Sequence, residues 1–220
     1  MMDEKEGEPA RARILQAAAD LFAEDGYKAT SVRRICEAAR VNVAMVNYYF
    51  HSKEELHLAA FDHARALARA SAADVAAASA QAQLPPVEQL RLAIEALVSD
   101  MLRPGPASLF SRLVARELIE PTAAIHKLAE RNVRPQHALF TQLIRGVVGA
   151  AMPGEVVQKC VFSVIGQAVF YARSRTVHEL VVPEITYDEA GIASIAQHVA
   201  AFSLAALDGL RRQHAAQAGA

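Results

Sequence analysis

An all-α fold is predicted, on three observations. Apolar residues recur at intervals of three and four along nearly the whole chain, strand-like alternation is almost absent, and Pro, Gly and capping residues divide the chain into about nine helical segments. Of the 220 residues, 53% are hydrophobic and 21% charged. That is enough apolar material for a sizeable core, and too much for a disordered chain.

The elements follow in order. Pro9 sits where a first helical turn tolerates it, and Ile14, Leu15, Ala18, Leu21 and Phe22 form one stripe that Gly26 ends. Thr30 is placed to cap a short second helix holding Val32, Ile35 and Cys36 on one side. After Arg40-Val41, Asn42 caps a third helix from Val43 to Tyr49. Ser52-Lys53-Glu54-Glu55 has the form of a capping box, and opens a fourth helix with Leu56, Phe61 and Leu67. An alanine-rich stretch ends by Pro85-Pro86, and the next helix carries Leu90, Ile94, Leu97 and Met101 to Arg103-Pro104. The segment Ala107 to Ile119 is helical up to Pro121, and Thr122 to Ala150 is expected to split or kink at Pro135. From Glu155 to about His178 the chain is almost wholly apolar or small, and Val156 to Tyr171 is apolar nearly all round, which predicts a helix covered on every face, before a loop at Val181-Val182-Pro183. The last helix, Asp188 to about Arg212, sets Ile192, Ile195, Val199, Phe202 and Leu210 on one face. The expected domains are 8–68 and 69–220.

Charge is informative only locally. The whole chain carries −1, but Lys28, Arg33, Arg34, Arg40 and Lys53 face Glu37 alone in their stretch. Such a basic patch inside a near-neutral chain suits a polyanion partner. Cys36 and Cys160 stand alone among apolar residues and read as buried thiols of a reducing compartment. The acidic N-terminus lacks a signal-peptide core, and no apolar run is expected to reach membrane-spanning length without a charge, so a soluble, cytoplasmic protein with no membrane partner is expected. There is no Gly-rich phosphate loop and no nucleophile elbow, and the eight histidines, His126 and His137 included, are scattered. No catalytic residue, metal or cofactor is expected.

The three N-terminal helices, with a three-residue turn between the second and third, have the helix-turn-helix pattern. The third would enter the major groove of double-stranded DNA and offer Asn42, Val43, Met45, Asn47 and Tyr48 to base edges. Phosphates would be met by Lys28, Ser31, Arg33 and Arg34 on one flank and by Tyr49, His51 and Lys53 on the other. The helix starts at Thr30 and Ser52 add backbone N–H groups. On periodicity alone, an ordinary solvated basic face remains open.

The residues themselves are more specific. Leu21-Phe22-Ala23-Glu24-Asp25-Gly26-Tyr27-Lys28-Ala29-Thr30-Ser31-Val32-Arg33-Arg34-Ile35, then Val41-Asn42-Val43-Ala44 and Tyr48-Tyr49-Phe50-His51-Ser52-Lys53-Glu54-Glu55-Leu56, resemble the DNA-binding domain of the TetR family without a gap from about Pro9 to Phe61. The resemblance implies a helix-turn-helix from Ser31 to Phe50, with Phe22, Ile35, Val41 and Phe50 as its core and Lys53 opening the helix that couples two domains. Two residues depart from the family pattern: Arg40 replaces the usual turn glycine, at a cost of about 1 kcal/mol unless it gains a phosphate, and Asn47 replaces a favoured tyrosine.

Ser111-Arg112-Leu113-Val114-Ala115-Arg116-Glu117-Leu118-Ile119-Glu120-Pro121-Thr122-Ala123 and Val133-Arg134-Pro135 resemble the C-terminal domain of the CecR-like branch, which is associated with efflux and drug sensitivity. This implies a ligand-binding and dimerisation domain. The expected pocket is Leu97, Met101, Phe110, Arg116, Glu117, Phe140, Ile144, Ser163, Gln167, Phe170 and Tyr171, with Ser163, Gln167 and Tyr171 orienting a ligand. Arg116 and Glu117 are either an internal ion pair or a polar anchor of that pocket. In the family the last two helices form a four-helix dimer interface, to which Ala196, Ala200, Ser203 and Ala206 would offer a small-residue face. The function expected is that of a homodimeric repressor released from a palindromic operator by a small hydrophobic effector. A constitutive or protein-controlled DNA-binding regulator, and an all-helical lipid carrier or enzyme, are the alternatives.

Overall fold

The computed structural model describes residues 4–67, 72–104 and 106–218, and every regular element among them is helical. The chain forms two compact units, one of Met1–Arg69 with Pro104–Asn132 and the other of Ala70–Arg103 with Val133–Ala220. A single boundary near residue 68 was expected; the N-terminal body instead takes in a second segment, Pro104–Asn132.

The first unit holds α1 (Glu4–Ala29), α2 (Val32–Ala39), α3 (Val43–Phe50) and α4 (Lys53–Leu67). In α1, Ile14, Leu15, Ala18, Ala19 and Phe22 are buried, and helical geometry breaks at Gly26 (φ 83°, ψ 170°), a conformation that needs glycine. Beyond α5 (Ala72–Gln81) and α6 (Pro86–Leu102) of the second unit, the chain returns to the first as α7 (Pro106–Ile119) and α8 (Ile125–Leu128). Leu109, Leu113 and Leu128 from these helices complete the core around Phe22, Ile35, Phe50, Leu56 and Phe61.

Polar groups fix α7 in place. The Arg116 guanidinium donates to the carbonyls of Ala23 and Glu24, which the break at Gly26 leaves at a helix end without helical partners. Glu117, 2% exposed, accepts at one carboxylate oxygen from the Thr122 N–H (2.7 Å) and hydroxyl (2.8 Å), closing the loop that follows α7. Neither expectation for the pair holds: Arg116 and Glu117 do not bridge each other, and both serve the first unit. Phe110 packs edge-on against Phe61 in that unit too.

The expected split at Pro135 is present. A π-turn over Ala129–Val133 joins α8 to α9 (Arg134–Val148), and Pro135 lies in the first turn of α9, where no N–H is missed. The second unit is completed by α10 (Gly154–Arg173), α11 (Arg175–Val181) and α12 (Glu189–Ala218). α6 sits at its centre, with Leu90, Ile94, Leu97 and Val98 against Phe140 and Ile144 of α9, Val157, Val161 and Val164 of α10, and Ile192 and Val199 of α12.

Within the single chain only the Val157–Val161–Val164–Ala168 side of α10 meets the core, and Phe162 and Phe170, on the side expected at a dimer seam, are 67% and 60% exposed. The small-residue face of α12 differs from expectation. On α12, Ala196, Ala200 and Ser203 are buried inside the unit; the outward side carries His198, Ala201, Phe202, Ala205 and Ala206. α12 is also long and apolar enough to cross a bilayer, since residues 190–207 hold no Asp, Glu, Lys or Arg, contrary to expectation. Its Ile192, Ile195 and Val199 are packed into the core.

Candidate nucleic-acid interface

The start of α2 is set by Ser31, not Thr30. Ser31 (φ −98°, ψ 150°) accepts the Arg34 N–H on its hydroxyl at 3.2 Å. Thr30 is 1% exposed, and its hydroxyl is shared between the carbonyls of Leu21 (3.2 Å) and Gly26 (2.8 Å). Burial thus removes Thr30 from the phosphate-facing set and makes it the lock beneath the break in α1.

Arg40 ends α2 in the left-handed region (φ 57°, ψ 50°). Its N–H reaches the Glu37 carbonyl (3.2 Å) and the Val41 N–H reaches that of Cys36 (3.0 Å), so two of the helix's last carbonyls are satisfied within the turn. The backbone therefore takes the shape a glycine would adopt without strain, while the arginine side chain stays exposed.

Asn42, an exposed residue, begins α3: its Oδ1 accepts the Met45 N–H at 3.0 Å. Val46 and Phe50 are buried, and Met45 and Tyr49 pack half-buried against the same core. Val43, Ala44, Asn47, Tyr48 and His51 are exposed, at a spacing that places them on one side of the helix. Tyr48 is 73% exposed and touches the ring of Tyr49 edge-on. Met45 and Tyr49 thus belong more to packing than to the outer face, whereas Ala44, absent from the expected set, lies on it. His51 (φ 55°) closes the helix through its N–H to the Asn47 carbonyl.

The flanking cations are partly engaged. Arg34 pairs with Asp25 at 2.6 Å and Arg33 with Glu37 at 3.1 Å, while Lys28 is exposed. Lys53 opens α4 behind the Ser52 cap, whose hydroxyl accepts the Glu55 N–H (3.1 Å). Its ammonium sits 4.2 Å above the Tyr27 ring, and burial lowers its pKa. Two cations went unnoticed in the sequence: Arg11 lies over the Phe50 ring at 5.5 Å, and Arg13 donates to the Ala39 carbonyl at 3.2 Å. Their only signal is the pair of arginines at the head of the α1 stripe.

His57, one turn beyond Lys53, is 3% exposed among Phe22, Tyr27 and Phe61, and its Nδ1 has no hydrogen-bond partner among the described residues. Burial, with Lys53 adding to it, holds the imidazole pKa down to about 4. The other groups at this contact are Tyr27 itself and the carboxylates of Glu54 and Glu117 acting on Tyr27. A depressed histidine pKa gives stability that is complete above the unfolded value of 6.5 and lost as pH falls through about 4. The full loss is about 3 kcal/mol. The protection factors of the α1 and α4 amides, taken against the intrinsic exchange rate at each pH, should therefore fall between pH 6.5 and 4, and His57→Phe should flatten that dependence; an unchanged slope in the variant would remove His57 as the cause. Asp100 of α6 titrates with the opposite sign: burial raises its carboxyl pKa to about 6, so the second unit gains stability as pH falls.

The expected ligand-binding set is not brought together. Leu97, Phe140 and Ile144 are close-packed core with Met101 against them, and Ser163 and Phe170 face outward. Gln167 donates to the buried Ser203 hydroxyl (3.1 Å), and Phe110, Arg116 and Glu117 lie in the first unit. A cleft of about 490 Å³ does exist in the second unit, but of that set it includes Tyr171 alone. Its other walls are the 184–186 loop and the first turns of α12. Among the described residues, no group of three His, Cys, Asp or Glu side chains is placed to hold a metal.

Comparison with known proteins identifies both parts of the chain. Residues 14–60 match the family model of bacterial regulatory proteins of the tetR family, and residues 86–207 match that of the C-terminal domain of the HTH-type transcriptional dual regulator CecR. The chain belongs to the TetR family, in its CecR branch. It is 32% identical over 149 residues to CecR of Shigella flexneri, a stretch covering 65% of this chain and 66% of that one. It is 40% identical over 73 residues to the transcriptional regulator UidR of Escherichia coli K12, covering 31% and 37%. Among solved structures, a TetR-like transcriptional regulator from Rhodococcus sp. RHA1 superposes with a TM-score of 0.62 at 20% identity, covering 89% of this chain and 96% of that one. The fatty acid degradation regulator FadR from Bacillus halodurans gives 0.63 at 15%, covering 87% and 96%. These two likenesses speak for the fold. As a TetR-family member the chain is a transcriptional regulator with a helix-turn-helix head.

Proposed function

We propose that this regulator is a cytoplasmic homodimer, without catalytic activity, that represses by holding a near-palindromic operator and lets go when a small apolar molecule binds its second unit. The observation that carries the DNA part is the outward side of α3, where Asn47, Tyr48, Val43 and Ala44 stand together between the capped starts of two helices. Asparagine suits adenine, and the small apolar groups suit thymine methyls. Phosphates would be met by Lys28, Ser31, Arg40 and Lys53, and by the exposed nitrogens of Arg33 and Arg34. The dimer part is supported by the exposed Phe162, Phe170 and Phe202 on α10 and α12, a patch that a soluble monomer has no reason to keep. The close packing of Leu97, Phe140 and Ile144 favours a second reading, in which the core of this unit takes no ligand and the regulator is constitutive or protein-controlled.

Selection of bound sequences from random duplex DNA, at two salt concentrations, tests the main reading. A motif with two-fold symmetry, half-sites about one helical turn apart and affinity falling steeply with salt is expected. Enrichment of no motif, or of one without symmetry, would overturn the proposal.

A further inference from the structure

We infer that the cleft beside the start of α12 is a binding site for a small organic cation, an amine or quaternary ammonium on an apolar body. Its size of about 490 Å³ is that of a small-molecule site. The lining brings together an aromatic wall (Tyr171), an apolar floor (Ile185, Ile195), and polar groups from Glu184, Ser194 and His198.

Charge selects the ligand. Glu184 is the one acid of the lining, no Lys or Arg lines the cleft, and Glu184 makes no ion pair among the described residues. The nearby cations are engaged elsewhere: Arg103 pairs with Glu189, and Arg175 pairs with Glu179 and lies over the Tyr187 ring at 4.8 Å. A helix start would ordinarily invite an anion, but Asp188 already holds the Gly191 N–H at 2.8 Å and the Thr186 hydroxyl at 3.2 Å. An anion entering here would meet the Asp188 and Glu184 carboxylates, and the Gly191 N–H at the helix end is already taken. A cation would meet the Glu184 carboxylate and the aromatic side chain of Tyr171.

The loop that walls the cleft is anchored to the body of the unit. Tyr187 anchors the loop from below: it is 7% exposed, with its hydroxyl 2.6 Å from His178 Nδ1 and 3.3 Å from the Tyr171 carbonyl. On the other side His198 lies against Phe202, so the cleft opens at the margin of the exposed apolar side of α12. Occupancy would be felt where a second copy is proposed to sit, and to that extent the inference rests on the ligand-responsive reading.

The test uses the full chain and three probes of one shape: benzyltrimethylammonium, benzyl alcohol and benzenesulfonate, titrated by calorimetry. The cation is expected to bind at least ~10-fold more tightly than the alcohol, and the sulfonate more weakly than either. Glu184→Gln should erase the preference for the cation, and Ser194→Phe, which fills the cleft, should abolish binding of all three. Equal affinity for the three probes, or a Glu184→Gln variant that keeps the preference, would overturn the site. Operator affinity measured alongside separates the two proposals. Cation binding that leaves operator affinity unchanged supports the site and defeats the switch. Cation binding and operator release that both survive Glu184→Gln and Ser194→Phe place the ligand elsewhere and defeat the site.

Discussion

Asn47→Ala combined with Tyr48→Ala should weaken binding to the selected operator by about 100-fold, with thermal unfolding unchanged. Both side chains are on the outer side of α3, and the Tyr48 side chain meets only the edge of a neighbouring ring. The core of the head is held by Val46 and Phe50 on the opposite side, so truncating the pair removes nothing the fold needs. A bidentate side-chain-to-base contact supplies about 1–3 kcal/mol of discrimination, and two reading residues together account for a factor of this size. Anisotropy titrations on the operator and on a scrambled duplex decide the matter. The loss should be confined to the operator, because base contacts specify while phosphate contacts position. A double variant that binds the operator like wild type would move the reading surface off α3.

The other large effect is structural. Gly191→Ala should destabilise the second unit by about 3 kcal/mol, at the upper end for an overpacked site. A Cβ on Gly191 would stand inside the contact radius of the Thr186 carbonyl and hydroxyl, and a backbone carbonyl cannot swing aside as a long side chain can. Moving the loop outward would break the Asp188 bonds and draw Tyr187 from its buried seat. Gly166→Ala on α10 is the control: within the chain its Cβ meets nothing, so gain of helix propensity should leave the stability of the unit itself equal or slightly higher. Urea unfolding of the two variants checks both; wild-type stability in Gly191→Ala would mean that the loop shifts at no cost.

What could be read in advance was what neighbouring residues decide among themselves. Asn42 and Ser52 cap as expected, because an N-cap bond closes within three residues. Arg40 adopts the left-handed turn for the same local reason. Thr30 and Ser31 are both good caps in adjacent positions, and only burial of Thr30 by α1 chooses between them. The stripe of α7 told which side of that helix is apolar but not which body it covers, so Phe110, Arg116 and Glu117 were placed with the wrong partners. Composition likewise cannot separate an apolar face that meets its own core from one left for another chain. That is why Ala196 and Ala200 were expected on the outside of α12. The cleft gave no sequence signal, since its walls come from a loop and two helices that periodicity treats separately.

The attachment of α7 to the first unit bears on how such regulators can be recombined. The family model of the C-terminal domain begins at residue 86 and so includes α7, yet Leu109, Leu113 and Arg116 build and brace the body that carries the reading helix. The stretch that belongs to the C-terminal domain by sequence is therefore also a wall of the head. A graft cut near residue 68 would seat a transplanted head on a foreign α7, with the two α1 carbonyls claimed by Arg116 left to whatever side chain the new host supplies. Chimeras that exchange specificity cleanly would have to splice the polypeptide on both sides of Pro104–Asn132 as well, carrying the brace along with the part that reads.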